Sequence, residues 1–222
     1  MNEHLFKNQG YALEWSMTPA ERCAFVYILQ LARADLALEI GSGKGGTSQA
    51  IARFCKRAVS LDLDGDHQSK LRPLFPNVDY RTGDSHRLLP EVMQELQEGE
   101  DELGFVFVDG DHTEAGVRED INHILSYRPQ SRPLYVLCHD AFNPDCRRGI
   151  LGADWEGNPH VHHLEIDFVA GIFHWSPSWF KYLWGGLTLA ILLPEERQEP
   201  LVRLEHHRML FQAAYPFSVH CR

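Results

Sequence analysis

The sequence predicts an α/β protein built on an open parallel sheet with helices on both faces, and three observations carry that prediction. Short apolar runs alternate with amphipathic stretches five times between residues 36 and 137, the rhythm of strand–helix crossovers. The first of these runs, Leu36-Ala37-Leu38-Glu39-Ile40, ends in a glycine cluster, as a buried parallel strand does where it turns into a helix. The 222 residues are 44% hydrophobic and 23% charged, enough apolar surface for one generous core and too much for a disordered chain.

The elements follow in order. Thr18-Pro19-Ala20-Glu21 places a capping threonine, a proline at the first helical position and a glutamate at the third, so a helix is expected over residues 19–33. After the strand at 36–40, Gly46-Thr47-Ser48 opens a second helix. Strands are expected at 59–62, 78–81, 105–108 and 134–137, with helices at 66–75, 88–98 and 114–127 between them. Beyond Asp140 the alternation fails. Residues 143–159, rich in Gly, Pro and Asn, read as a long loop, followed by strands at 163–168 and 187–193 and one tail helix over 196–214. Without repeats or linkers, residues 1–222 are expected to form a single domain. It comprises an N-terminal helical segment (1–35), a core (36–193) and a C-terminal helix (194–222).

Charge narrows the function. With 21 Lys+Arg against 31 Asp+Glu the net charge is 21 − 31 = −10, which argues against gripping nucleic acid through its phosphates. The apolar stretch 168–194 is interrupted by Lys181 and by Gly, Ser, Pro and His, so no membrane span is expected. Five scattered cysteines without a C-x-x-C pair read as reduced thiols, hence a cytoplasmic protein.

In such a sheet ligands lie outside the carboxyl ends of the strands. Gly41, Gly43 and Gly46 fit G-x-G-x-x-G between a strand and a helix, a turn that lets backbone approach a nucleotide-bearing ligand. Asp62 ends the second strand 21 residues after Gly41, where a carboxylate can accept both ribose hydroxyls of NAD or of S-adenosylmethionine. Glu39 beside the glycines favours the second: it suits an ammonium group and is unwelcome next to a pyrophosphate. Asp84 and Ser85, at the third strand end, are candidates for the adenine edge. Asp109-Gly110-Asp111-His112 and His139-Asp140 end the fourth and fifth strands. Asp109, Asp140 and His139 can converge on an oxygen-loving divalent cation, with Mg2+ the expected ion. An NAD-dependent oxidoreductase and a non-catalytic adenosyl-cofactor-binding protein are the competing readings.

On these residues, the run Glu39-Ile40-Gly41-Ser42-Gly43-Lys44-Gly45-Gly46-Thr47-Ser48 with Asp62, Gly83-Asp84-Ser85, Asp109 to His112, His139-Asp140 and Trp184-Gly185-Gly186-Leu187, the chain resembles the class I S-adenosylmethionine-dependent methyltransferases. It is similar to their small O-methyltransferases of the macrocin and cephalosporin hydroxylase-like group. The resemblance implies a Rossmann-like, doubly wound sheet of seven strands, mostly parallel with the last antiparallel. The cofactor would lie across the first and fourth strand ends, which brings Ser42, Thr47, Ser48 and Asp109 into its site. It also implies Asp109 as a metal-binding aspartate and His112 as general base; His139 departs from the carboxylate or amide usual at its place. The expected substrate is a hydroxyl on a small molecule such as a sugar or phenol. The aromatic segment 175–184 and residues 6–15 are candidates for acceptor contact, and the late apolar insert makes a homodimer an expectation.

Overall fold

The computed structural model describes residues 12–174 and 176–221. Helix α1 (Pro19–Ala32) starts where the capping box predicts: Thr18 Oγ1 accepts from Glu21 N, and Glu21 Oε2 accepts from Thr18 N at 2.5 Å. The alternation then runs β1 (Leu36–Ile40), α2 (Ser48–Phe54), β2 (Arg57–Asp62), α3 (Gly65–Leu71), β3 (Val78–Thr82), α4 (Ser85–Glu98), β4 (Leu103–Val108), α5 (Glu114–Ile124) and β5 (Leu134–His139). Strands β1 and β4 are buried along their whole length, as central parallel strands covered on both faces must be.

Here the structure departs from the sequence reading. Asn143 caps a helix α6 (Pro144–Gly152) that takes up the first part of the expected loop, with Pro144 at its start and Asp145 in its first turn. Then come β6 (Val161–Val169), a two-stranded ribbon of β7 (Ile172–Phe173) and β8 (Leu183–Trp184), and β9 (Leu187–Leu192). The expected tail helix is confined to α7 (Arg208–Ala214), and Arg203–Leu204 forms β10.

The main sheet therefore has eight strands, not seven, in the order β10-β6-β9-β5-β4-β1-β2-β3. The extra strand is a two-residue edge strand parallel to β6, too short to carry any alternation in sequence. The antiparallel strand is β9, inserted between β5 and β6, and it is followed in the chain by parallel β10. Two apolar clusters, one on each face of the sheet, make the core. Leu38, Val106, Val136 and Ile121 lie in one, and Phe25, Phe105, Phe107 and Ile51 in the other. Phe25 of α1 meets Phe105 and Phe107 edge-on at 5.5 and 5.0 Å, which seats α1 against β4. Among the described residues no helix is long and apolar enough to cross a membrane.

Candidate active site

The sheet order places the ends of β1, β2, β3 and β4 around one cavity of about 600 Å3. Its floor is the turn after β1. Gly41 has φ +88°, and a Cβ there would stand 2.0 Å from the Asp109 carbonyl oxygen. Only glycine lets β1 pass so close to the end of β4. The β1 turn contributes Gly41, Ser42, Gly43, Gly46 and Thr47, the β2 end Asp62, and the β3 end Asp84 and Ser85. The β4 end supplies Asp109, Asp111 and His112. Asp62 is held in place by its own loop: Oδ2 accepts from Gly43 N at 2.8 Å and Ser42 Oγ at 3.1 Å, and Oδ1 from Asp64 N at 2.7 Å. Asp84 and Ser85 also begin α4, Asp84 capping it through His86 N.

Glu39 and Ser48 are placed elsewhere. Glu39 is 1% exposed, and the hydroxyls of Thr47, Ser48 and Ser60 each donate to it at 2.6 Å. Burial pushes its carboxyl above the usual range, only partly offset by those hydroxyls. Its oxygens thus fix the helix start to β2, and neither Glu39 nor Ser48 is among the residues lining the cavity.

Beside the cavity, β4 and β5 run parallel and adjacent, so Asp109 and Asp140 meet as expected. One ligand atom from each of Asp109, His112 and Asp140 lies within 4.8 Å of the others. His112 Nε2 is 3.3 Å from Asp109 Oδ1, and its Nδ1 is 3.6 Å from Asp140 Oδ2. Asp140 adopts the left-handed conformation (φ 60°) and accepts from Gly185 N at 2.5 Å, a backbone geometry unusual outside glycine. His139 does not join this group. It stands behind it, its Nδ1 3.1 Å from Asp109 Oδ1 and its Nε2 3.2 Å from Glu21 Oε1.

Sequence reasoning took Glu21 only as a capping residue. In the structure it is 0% exposed and also accepts from Gly186 N, so one carboxylate links α1, the turn before β9, and His139. Burial opposes ionisation of Glu21, but His139 and Thr18 hold it below the usual range. Burial likewise opposes charge on Asp109, yet His139 and His112 bring its carboxyl to about 2. The hydrogen bond to Asp109, working against burial, raises the His112 imidazole to about 9. The result is an alternating row of acid and imidazole, Glu21, His139, Asp109 and His112, running from the core to the cavity mouth.

Of the residues considered for acceptor contact, Trp15 is buried against Phe25, while Glu14 lines the cavity, as do Ser16 and Met17 just beyond the expected segment. Trp184 meets His139 edge-on at 6.0 Å, and Trp179 and Phe180 are exposed beyond it. Residues 6–11 and Trp175 lie outside the described residues.

Residues 38–141 match a family of methyltransferase domains. Among solved structures the chain is similar to an O-methyltransferase from Bacillus cereus in complex with S-adenosylhomocysteine. That likeness has 18% identity and a TM-score of 0.59, over 86% of this chain and 89% of that one. It is also similar to the O-methyltransferase TomG from Streptomyces achromogenes, involved in tomaymycin synthesis and bound to S-adenosylmethionine. There the identity is 18% and the TM-score 0.57, over 80% of this chain and 81% of that one. At such identity the likeness is one of fold. No curated protein matches the sequence.

Proposed function

We propose that this chain, whose residues 38–141 match a family of methyltransferase domains, is an S-adenosylmethionine-dependent methyltransferase that methylates a hydroxyl of a small polar molecule. The observation that carries the cofactor half is the charge of the cavity. Its described lining residues include five carboxylates, from Glu14, Asp62, Asp84, Asp109 and Asp111, against one lysine and no arginine. That wall attracts a sulfonium cation and repels a pyrophosphate, so it favours the adenosyl-sulfonium cofactor over NAD. Asp62 at the β2 end stands where the ribose hydroxyls would be accepted, and Asp84 with Ser85 where the adenine edge would lie. Five unpaired thiols, Cys23, Cys55, Cys138, Cys146 and Cys221, suit a cytoplasmic protein.

The bound cofactor supplies a methyl group on a cationic sulfur. In-line attack by the acceptor oxygen forms the new C–O bond as the C–S pair returns to sulfur, and the hydroxyl proton must leave. His112, half exposed at the cavity mouth, is the proton acceptor in this reading. With its imidazole raised to about 9, only the minor neutral form serves as base at pH 7, so turnover should rise with pH toward 9. Asp109 and Asp140 orient its ring, one carboxylate against each nitrogen. The same three residues form a donor set that fits a divalent cation, and two carboxylates are compatible with Mg2+. With His112 spent as a ligand, the cation rather than the imidazole would activate the hydroxyl, by lowering its pKa. Trp184 packs against His139, and in this reading the aromatic residues after β7 contact the acceptor, although none of those described lines the cavity.

The test is production of S-adenosylhomocysteine against a panel of sugars, phenols and other hydroxylated metabolites, with and without chelator. His112→Ala should cut turnover about 100-fold or more while binding S-adenosylhomocysteine as the wild type does. Turnover surviving in that variant removes His112 as the base, and indifference to chelator removes the metal.

A further inference from the structure

Glu39 is sealed against three hydroxyls, which leaves open where a zwitterionic amino-acid group would be held. Beside the glycine turn, residues 12–17 run across the loop. The Gln49 amide ties them down, accepting from Leu13 N at 3.0 Å and donating to Leu13 O at 3.1 Å. This segment lies so close that a Cβ on Gly46 would stand 2.4 Å from the Glu14 carbonyl oxygen. This seating delivers the Glu14 carboxylate to the cavity wall, where Lys44 Nζ meets its Oε2 at 2.8 Å.

Two facts single out this pair. Lys44 is the sole lysine or arginine among the described residues that line the cavity, and the His112 imidazole there is already paired with Asp109 and Asp140, so an incoming carboxylate has Lys44 to meet. The other acids there are committed: Asp62 to the amides of its loop, Asp109 to two imidazoles. Glu14 and Lys44 are 67% and 57% exposed, and an ion pair so well solvated contributes little by itself. Opening it to admit a ligand of matching charges costs correspondingly little.

Building on the cofactor assignment above, we propose that Glu14 and Lys44 are the clamp for the amino-acid end of the ligand. Lys44 takes the α-carboxylate and Glu14 the α-ammonium of the methionyl group. The pair replaces one salt bridge with two, in a square of alternating charge that a phosphate ester could not complete.

Calorimetric titration of the full chain with S-adenosylhomocysteine and with 5′-methylthioadenosine, which lacks the amino-acid end, tests this. Lys44→Ala and Glu14→Ala should each weaken S-adenosylhomocysteine by about tenfold or more and leave methylthioadenosine within about twofold. The retained nucleoside binding shows that the variants fold. The double exchange Glu14→Lys with Lys44→Glu separates a clamp from a mere latch across the loop. A latch is restored by the swapped pair, and full recovery of S-adenosylhomocysteine binding would overturn the proposal. Equal loss of both ligands, or no loss of either, also overturns it while leaving the cofactor reading intact. A wild-type chain that binds neither ligand overturns the cofactor reading and the clamp with it.

Discussion

At Glu21 a helix cap and a buried charge cluster are the same side chain. One oxygen closes the capping box with Thr18 N, while the other faces Gly186 N and His139 Nε2. Removing one partner of a buried charged group leaves the other uncompensated, at roughly 3–5 kcal/mol. Glu21→Ala should therefore lower unfolding free energy in urea by about 3 kcal/mol or more, well beyond the ~1 kcal/mol of a lost cap alone; a loss no larger than that cap would mean that His139 does not depend on it. The cap was legible in four consecutive residues. Its second role was not, because the donor at Gly186 lies 165 residues away. Glu39 carries the complementary lesson. Its type and place suggested a ligand contact, but Ser60 lies on the neighbouring strand, and sequence alone does not show that three hydroxyls already surround the carboxylate.

Among the elements, α5 keeps an acid on its inner face. Asp120 is 0% exposed, with His86 Nε2 3.5 Å from its Oδ1. Burial pushes its carboxyl to about 6, only partly offset by Ser85 and His86, and Asp111 and Asp84 add to the rise. Its folded pKa thus lies above the unfolded value near 3.9. The stability it contributes is present below about pH 4 and is lost as pH rises through about 6. Asp120→Asn should then stabilise the protein at pH 7 by on the order of 2 kcal/mol, and it should flatten the slope of stability between pH 4 and 6; equal slopes in chemical denaturation series would contradict this. The strands that carry the candidate site were readable because β1, β2, β4 and β5 are largely buried apolar runs that end in or run into Gly or Asp, and the weaker β3 alternates ahead of Gly83. What failed lies beyond β5. In α6 the Asn143-Pro144 start was outweighed by the surrounding Gly, Pro and Asn, and β10 is two residues long. The tail helix was overestimated because residues 196–207 satisfy their backbone elsewhere, as where Arg197 N donates to Pro159 O.

Over the whole molecule the antiparallel strand β9 is the joint. It pairs with β5 on one side and β6 on the other, so the sheet is not continuous without it. A chain ended at residue 182 leaves β5 and β6 with unpaired edges and exposes Leu187 and Leu189's neighbours in the core. Such a chain should give no cooperative unfolding transition, whereas one ended at residue 205, retaining β9 and β10, should still show one; calorimetry of the two compares them directly. The turn that leads into β9 also supplies the amide that meets Glu21 and the one that meets Asp140. On the ribosome the glutamate emerges 165 residues ahead of its amide partner. While synthesis proceeds, α1 can form but its inward carboxylate has only water to bind. The cluster of Glu21, His139 and Asp140 therefore becomes whole only once residues 185 and 186 have been made.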